Sequence, residues 1–503
     1  MENNLDVYQH PKKELNKLVI PILITSIIGS LNTLVDTSFI GHLGGNALSA
    51  SGLITPLYIL IISFGSSVGV GTNVLMSRFI GNNDTEHANK IFNNSIFITI
   101  IIGIILTIII VIFNRQVLGL FGVSNQVYEF AADYSVIFYG CIILLVQGIF
   151  SSIFNAELRS KLTAYCNILT IITNVLFDFI FMYIFGWGMF GIGLGTLLSS
   201  VFVVILMIFL LYYLDDWIVD YKIDFKLFSL NNLVELFKIG IPSFLESNVS
   251  TIFNIILNYL LLAIGGSIAV GIYSGSWRFI QLGFILMGAY GASLTTVCSM
   301  FYGRNDLKTI KELYFYALRN TFIIGIVMFI LFNIIGKYLA LIITQDASLI
   351  SGITQTLSIL SLFFIIMPFS TMSGSIFNSI DKPKVSLIVT LLKYLVFELI
   401  FMFLFTYLGF GVNGIYYGMI LGVFLGGILG SILIYKYFKD LIDLNKLRVD
   451  KELIKERSEL IREDYFVNRH KSREELIEKI NEDSGKIYNK KFRTYNIINR
   501  FCK

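Results

Sequence analysis

Residues 35–83 read VDTSFIGHLGGNALSASGLITPLYILIISFGSSVGVGTNVLMSRFIGNN. Asp36 lies near the end of one apolar run, the chain turns at Gly44-Gly45, and a second apolar run continues to Arg78. An ionised carboxylate at membrane depth costs at least about 2.5–3.5 kcal/mol on insertion scales. We therefore expect Asp36 to belong to a functional site.

The composition of the whole chain points to a membrane protein. Hydrophobic residues make up 55% of the 503 residues and charged residues 14%, and the mean hydropathy is +0.75. This leaves too little polar surface to coat a soluble protein of this size. The polar stretch before the first apolar run has no secretory cleavage pattern, so we predict that the first run is a retained helix. The four cysteines are dispersed and predict neither a disulfide nor a zinc site.

Apolar runs of about twenty residues or more predict an all-α integral membrane protein with twelve transmembrane helices. Twelve is an even number, so both termini are expected on one side. The predicted spans are 17–41, 47–79, 91–113, 127–154, 163–185, 190–214, 239–263, 269–302, 315–343, 351–379, 385–407 and 413–437.

The distribution of basic residues predicts that both termini face the cytoplasm. If they do, the loops and helix ends on the opposite side carry only Arg115 and Lys337. By the positive-inside rule, the basic side is cytoplasmic. Before the tail, this side carries Lys12, Lys13, Lys17, Arg78, Lys90, Arg159, Lys161, Lys222, Lys226, Lys238, Arg304, Lys308, Lys311, Arg319, Lys382 and Lys384.

The two halves of the chain repeat each other. Lys17-Leu-Val-Ile-Pro21 recurs as Lys238-Ile-Gly-Ile-Pro242, and Phe177-Asp178-Phe-Ile-Phe-Met182 recurs as Phe397-Glu398-Leu-Ile-Phe-Met402. A repeat of six helices predicts two parallel six-helix lobes with a substrate path between them. The predicted organisation is a cytosolic N-terminus (1–16), an N-terminal lobe (17–214), a cytosolic linker (215–238), a C-terminal lobe (239–437) and a cytosolic tail (438–503).

The predicted tail is highly charged. It holds 17 Lys or Arg and 13 Asp or Glu residues, with Leu453, Ile454, Leu460 and Ile461 at helical spacing. This pattern predicts a charged, helical cytosolic tail. Contact with the inner leaflet or with a partner helix is the alternative.

Two polar pairs mark the predicted N-terminal lobe. Asn32 and Asp36 are four residues apart on the first helix, and Asn174 and Asp178 are four apart on the fifth. This spacing places an amide and a carboxyl group on one helix face. Such oxygens can hold a proton or a sodium ion, and two adjacent buried carboxylates repel each other, which favours a proton on one of them.

The chain resembles the multidrug and toxic compound extrusion (MATE) transporters, in particular their DinF-like branch. Pro21, Asp36 with Phe39 to Gly41, Leu43-Gly44, Ala47 to Gly52, Pro56, Ser77-Arg78 and Gly81 carry the resemblance, which covers nearly all of residues 15–437. It implies two six-helix bundles around a V-shaped central cleft. It also implies a cation-coupling site at Asp36, Asn174, Asp178 and Thr196, and a bend of the first helix with Pro21 as the hinge.

The ionisable residues in the spans of the second lobe are candidates for substrate or ion binding: Glu246, Arg278, Lys393 and Glu398. Some MATE transporters use an acid on the seventh helix together with an aspartate on the tenth, but here the tenth helix has no acid before its exit. Lys393 is a candidate to neutralise Glu246. Lys393 and Glu398 are five residues apart, which is poor spacing for a pair on an α-helix. Arg278 is a cleft residue or a counter-ion.

These observations predict a secondary antiporter that exports organic, cationic and amphipathic compounds in exchange for H⁺ or Na⁺. No GxxxxGK[ST] nucleotide loop occurs in the sequence, and we expect neither enzymatic activity nor a cofactor or resident metal, apart from transient Na⁺ at the coupling site. The expected partners are small-molecule substrates and the bilayer of a bacterial inner membrane, with no nucleic acid and a monomeric state. The alternative is a flippase for lipid-linked oligosaccharides or peptidoglycan precursors.

Overall fold

The structure, a computed structural model, describes residues 7–120, 125–214, 216–343 and 347–467. These residues form helices joined by short turns, and no strand occurs among them. In the N-terminal lobe the helices are α1 (Pro11–His42), α2 (Gly45–Gly81), α3 (Thr85–Leu120), α4 (Asn125–Ala156), α5 (Ser160–Ile184) and α6 (Gly188–Tyr213). A 3₁₀ segment, Ser135–Gly140, lies within α4, and α5 ends in the π-helical turn Ile180–Ile184.

The second half repeats this arrangement. Its helices are α7 (Leu230–Gly266), α8 (Ile268–Gly303), α9 (Leu307–Ile343), α10 (Ala347–Leu360 and Phe363–Ser379), α11 (Pro383–Leu391, continued by Leu392–Glu398, Leu399–Phe405 and Thr406–Phe410) and α12 (Gly411–Val467). Helices α7 to α11 and the start of α12 form the C-terminal lobe.

Ten of the described helices are long and apolar enough to cross a membrane, or eleven if the bent pair in α10 is one span. The fold is therefore the expected all-helical membrane architecture. One of the ten, Pro383–Asp440, has 58 residues, far more than the roughly 20 residues of one crossing. The chain has positive φ at Gly409 and Gly411 within it, where α11 gives way to α12. The count of twelve stays a prediction.

The backbone confirms the internal repeat independently of side chains. Positive φ angles are energetically unfavourable for most residues, yet they occur in pairs 222 or 223 positions apart. The pairs are Gly44 (φ 105) with Gly266 (68), Asn83 (58) with Asn305 (58), Leu158 (62) with Asp381 (62), Gly186 (70) with Gly409 (89), and Gly188 (52) with Gly411 (56). The same turns therefore recur in both halves.

Three predicted domain boundaries differ from the helix ends. The first helix begins at Pro11 rather than at residue 17, and α7 begins at Leu230, inside the predicted linker 215–238. The reason is that membrane helices continue beyond their apolar run where polar residues can still complete the backbone hydrogen bonds. At the other end, α12 continues without a break to Val467, so the predicted tail begins as part of this helix. Residues 468–503 lie outside the described part of the chain.

The linker is attached to the N-terminal lobe. The carboxylate of Glu157 accepts hydrogen bonds from the Ile218 N–H (2.9 Å), the Val219 N–H (3.1 Å) and the Tyr221 hydroxyl (2.7 Å). Arg159 forms a salt bridge with Asp216 (2.8 Å). Burial raises the pKa of Glu157, and these hydrogen bonds oppose that shift. Asn93 and Asn94 on α3 also hold the linker through backbone groups of Lys222, Asp224, Leu227 and Ser229.

The two lobes touch along α2 and α8, which approach each other closely near their C-terminal ends. A Cβ atom at Gly81 would lie 2.1 Å from the Met300 carbonyl oxygen, and one at Gly303 would lie 2.1 Å from that of Arg78. Only glycine permits this approach. Contacts continue to Phe64, whose ring stacks on Phe244 with centroids 4.3 Å apart. The lobes are thus joined from the middle of α2 to the end near Gly81.

The chain divides into two compact units, Met1–Ser431 and Ile432–Lys503. All of the side chains that the candidate sites use lie in the first unit. Within the second unit, the structure describes the backbone of α12 as far as Val467, and the apolar positions Leu453, Ile454, Leu460 and Ile461 fall on this helix. The prediction that they form an amphipathic face stays a prediction.

Candidate ion and substrate sites

The structure brings the two predicted polar pairs of the N-terminal lobe together. Asn32 Nδ2 donates to Asp36 Oδ2 at 3.5 Å on α1, and Asn174 Nδ2 donates to Asp178 Oδ1 at 3.2 Å on α5. The side chains of Asp36 and Asp178 lie within electrostatic reach of each other. Two adjacent buried carboxylates repel, which favours a proton on one of them. The two acids therefore share one environment, as the sequence predicts.

Thr196 completes this cluster from α6. Asn174 Nδ2 donates to Thr196 Oγ1 at 3.3 Å, and the threonine hydroxyl donates to the Ile192 carbonyl oxygen at 3.2 Å. The helices α5 and α6 approach closely here, because a Cβ atom at Gly195 would lie 2.2 Å from Asp178 Oδ1. Gly195, the last glycine of the Gly188 to Gly195 run, thus makes room for Asp178.

The cluster has more acceptors than donors. One oxygen in each of Asn32, Asp36, Asn174 and Asp178 receives no hydrogen bond from a described donor. Asp178 is fully buried and Asn174 is 1% exposed, and buried polar atoms normally have a partner. Neither acid forms a salt bridge with a described basic residue. A proton or a small cation fits this set of oxygens.

A cavity of about 190 Å³ adjoins the cluster. Its lining includes Asn32, Asn174 and Thr196 from the cluster, together with Tyr58, Gln147 and Thr170. Gln147 Nε2 donates to Thr170 Oγ1 at 3.1 Å across it. Tyr58 also lies within electrostatic reach of Asp36. Most of the lining side chains are polar, and none of those from the described residues is acidic or basic.

The C-terminal lobe has a cavity of about 310 Å³ whose lining carries charge of both signs, from Glu246 and Lys393. Thr390 Oγ1 donates to Glu246 Oε1 at 3.3 Å, and Ser386 and Asn378 lie within hydrogen-bonding reach of the same carboxylate. Lys393 Nζ donates to Ser370 Oγ at 3.4 Å.

Glu398 lies deeper in the same lobe. It is 1% exposed, and its Oε1 atom has no hydrogen-bond partner among the described residues. Lys393 and Tyr273 lie within electrostatic reach of it. The hydroxyl of Tyr273, which is 3% exposed, also has no described partner. This acid is therefore isolated from the cavity surface.

The structure corrects the sequence match between Asp178 and Glu398. Their segments align at an offset of 220, but the paired turns that follow them, Gly186 with Gly409, are 223 apart. Asp178 faces Gly195, whereas Glu398 faces Gly422, where a Cβ atom would lie 2.4 Å from Glu398 Cγ. In register with the backbone, Phe401 takes the place of Asp178, and Glu398 lies about one turn earlier on its helix.

The five-residue spacing of Lys393 and Glu398 falls in a π-helix, not in an α-helix, in the structure. Residues Leu392–Glu398 form a π-helix, in which backbone hydrogen bonds join residues five apart. Side chains five apart therefore lie on one side of this segment, unlike in an α-helix. Both side chains are buried, at 5% and 1% exposure. No salt bridge joins the two side chains, so the expectation that they do not form a direct pair is not overturned.

Comparison with known protein families identifies this architecture. The MatE family model matches residues 21–180 and 242–404, one match in each lobe, and the two matches together cover more than half of the chain. The chain belongs to the MATE family. The DinF-like branch within that family stays a prediction.

Relatives of this MATE-family chain include bacterial proteins with named roles. "Multidrug export protein MepA" of Staphylococcus saprophyticus is 22% identical over 343 residues, which are 68% of this chain and 75% of that protein. "Probable multidrug resistance protein YoeA" of Bacillus subtilis is 22% identical over 348 residues, or 67% and 74%. A solved structure described as an outward-facing multidrug resistance MATE family transporter has a TM-score of 0.82 at 26% identity, covering 86% of this chain and 97% of that one.

Two other predicted residues of this MATE-family chain lie apart from these clusters. Arg278 is exposed and forms no ion pair with the described carboxylates, so it is not the counter-ion of Glu246 or Glu398. Pro21 lies inside α1, which remains helical from Pro11 to His42. At 1.5 Å per residue, Pro21 is about 22 Å along the helix from Asp36. Its role as a hinge stays a prediction.

Sequence reasoning missed several polar residues of the N-terminal cavity, including Tyr58, Gln147, Thr170 and Ser199. They are neutral, and neutral polar side chains often join membrane helices without lining a cavity. Of these residues, Gln147 could most readily have been found from the sequence, because a glutamine within a long apolar run needs hydrogen-bond partners. The carboxylates were found because only charge is rare enough in a membrane span to be informative.

Proposed function

We propose that this MATE-family protein is a secondary antiporter that exports organic, cationic and amphipathic compounds in exchange for H⁺ or Na⁺. The names of its relatives in Staphylococcus and Bacillus support multidrug export. The matched family consists of transporters, so we expect no enzymatic activity. The match to the MatE family model favours this function over that of a flippase.

The observation that carries the proposal is the Asp36–Asp178 pair beside the polar cavity of the N-terminal lobe. When both carboxyls are charged, they favour a positively charged cargo close to the cavity. When a proton or Na⁺ neutralises them, that attraction is lost and the electrostatic interaction between the acids of α1 and α5 changes. Cargo and coupling ion therefore compete for one negative charge, which is the physical requirement for exchange.

The contacts between the lobes support alternating access. They run from the middle of α2 to Gly81, and Arg304 Nε donates to the Gly81 carbonyl oxygen at 2.6 Å at that end. In the positive-inside orientation, this contacted end, which closes the space between the lobes, faces the cytoplasm. A cation entering from outside gains about 2.3 kcal/mol per charge per 100 mV of membrane potential, which provides the driving force for release of the cargo.

The experiment is dye efflux from proteoliposomes that contain the full-length protein, under an imposed pH or Na⁺ gradient. We expect efflux from the wild type under at least one gradient and loss of it in Asp36→Asn and Asp178→Asn. Dye binding without a gradient, measured on the same preparations, serves as the folding control. Gradient-driven efflux at the wild-type rate in both variants would refute the coupling site.

A further inference from the structure

The cavities of the two lobes are equivalent positions of one repeat. Four residues of the N-terminal cavity have a lining residue of the C-terminal cavity exactly one repeat of 223 positions later. Leu144 corresponds to Met367, Gln147 to Ser370, Gly148 to Thr371, and Thr170 to Lys393. The offset is the same as that of the paired turns Gly186 and Gly409. The cavities therefore differ by substitution at common positions.

The same pair of positions forms a hydrogen bond in both cavities, but with different side chains. In the N-terminal lobe, Gln147 donates to the Thr170 hydroxyl at 3.1 Å. In the C-terminal lobe, the residue at the Thr170 position is Lys393, and it donates to the Ser370 hydroxyl at 3.4 Å. A neutral hydroxyl in one lobe has thus become an ammonium group in the other.

The ammonium of Lys393 is buried against an aromatic ring, and two of its three N–H donors have no described acceptor. The side chain is 5% exposed, and the ammonium lies 4.1 Å from the centroid of the Tyr394 ring. Its hydrogen bond to Ser370 uses one of three N–H donors. Burying a lysine at this depth requires compensating negative charge.

Two acids of the same lobe lie near Lys393. Glu246 and Glu398 are both within its electrostatic reach; Glu246 lines the cavity, and Glu398 is buried outside that lining. Neither forms a direct salt bridge with the ammonium. Thr390, Ser386 and Asn378 surround Glu246 with hydroxyl and amide oxygens, and oxygen ligands suit hard cations. The acids of the N-terminal cluster, Asp36 and Asp178, occupy other positions of the repeat and form no salt bridge with a described base.

We propose that the Lys393 ammonium takes the place of an inorganic cation in the C-terminal lobe, and that its removal opens a site for a monovalent cation such as Na⁺. In the native protein, ion binding is then confined to the Asp36–Asp178 pair. The assignment of ion binding to the Asp36–Asp178 pair rests on the proposed function. The test of the inference measures ion binding without transport, so the inference and the proposed function can fail separately.

The test is equilibrium binding of radioactive Na⁺ to the purified full-length protein. The informative variant is Lys393→Thr, which places the residue of the N-terminal cavity at the same position. We expect Lys393→Thr to bind one more Na⁺ per chain than the wild type, Lys393→Arg to match the wild type, and Lys393→Thr combined with Glu246→Gln to lose the added ion.

Two results would overturn the proposal. One is an equal Na⁺ count for Lys393→Thr and the wild type, with both eluting as single folded species. The other is a reduced Na⁺ count for Glu246→Gln in the native background, because that would place an ion in the C-terminal lobe while Lys393 is present. If Lys393→Thr does not fold, the Na⁺ count of Glu246→Gln, which retains the lysine, still tests the proposal.

Discussion

The two lobes share one backbone pattern but differ in the charge of their interiors. The N-terminal lobe places Asp36 and Asp178 together with no described base bound to them, whereas the C-terminal lobe places Lys393 between Glu246 and Glu398. A lobe with unneutralised acids needs a proton or cation from solution. A lobe that carries its own ammonium does not. On the two proposals above, the difference teaches that a repeat can keep its fold while only one copy responds to ions.

The largest expected effect separates the acids of the two lobes. Asp178→Asn should reduce gradient-driven efflux by at least about tenfold, equivalent to about 1.4 kcal/mol, because the exchangeable charge is lost. Glu398→Gln should leave efflux close to that of the wild type, since its carboxyl lies away from the cavity. Equal losses in both variants, measured in the same proteoliposomes, would break the comparison.

The next effect tests the close packing around each acid. A methyl group at Gly195 would meet Asp178 Oδ1 at 2.2 Å, and one at Gly422 would meet Glu398 Cγ at 2.4 Å. Gly195→Ala and Gly422→Ala should each cost about 1–3 kcal/mol of stability from overpacking. Only Gly195→Ala should also weaken coupling, because it displaces the oxygen of the exchangeable acid.

Gly52→Ala is the matched control for this pair, since nothing lies within 4 Å of a Cβ atom there. Thermal unfolding in detergent gives the stability change, and proteoliposome efflux gives the coupling change. Loss of efflux in Gly422→Ala beyond what its stability explains would mean that the C-terminal acid is coupled as well.

A third effect concerns the linker that α3 and α4 hold. Glu157→Ala leaves the donors of Ile218, Val219 and Tyr221 without their acceptor, which costs about 1–3 kcal/mol. The loss should appear as a lower unfolding temperature in detergent. A mutation with no effect would show that the linker is not fixed to the N-terminal lobe.

The same residue gives a pH dependence of defined sign. Because burial raises the pKa of Glu157 above its ordinary 4.5, its contribution to stability is complete below that value and is lost as the pH rises through the raised pKa. Glu157→Gln cannot ionise. The stability of the wild type relative to Glu157→Gln should therefore fall with rising pH across this window, and a flat difference would contradict the shift.

The smallest effect is expected at the exposed end of the contact between the lobes. Asp381 lies 3.8 Å from Arg78 and 3.0 Å from Lys238 in ion pairs that are partly exposed. Such pairs contribute about 0–1 kcal/mol and weaken with salt. Asp381→Asn should lower stability by no more than this, and the difference should shrink as the ionic strength rises. A larger, salt-independent loss would identify Asp381 as a main support of the closed end.

The sequence by itself determined the membrane class, the repeat and the rare acids of the spans. Apolar runs, basic asymmetry and rare charges are local properties, and an i, i+4 spacing fixes a helix face whatever surrounds it. Asn32 with Asp36 and Asn174 with Asp178 could therefore be read directly, whereas Thr196 was implied only by the resemblance to the MATE family.

Only the tertiary structure decided the register and the neighbours within the C-terminal lobe. The π-helix at Leu392–Glu398 places Lys393 and Glu398 on one side, and the close approach of Gly422 fixes Glu398 one turn from the place of Asp178. Residue spacing predicts neither the π-helix nor the position of Glu398. Both depend on how this helix packs against its neighbour. The equivalence of Thr170 and Lys393 likewise appears only when both cavities are compared in space.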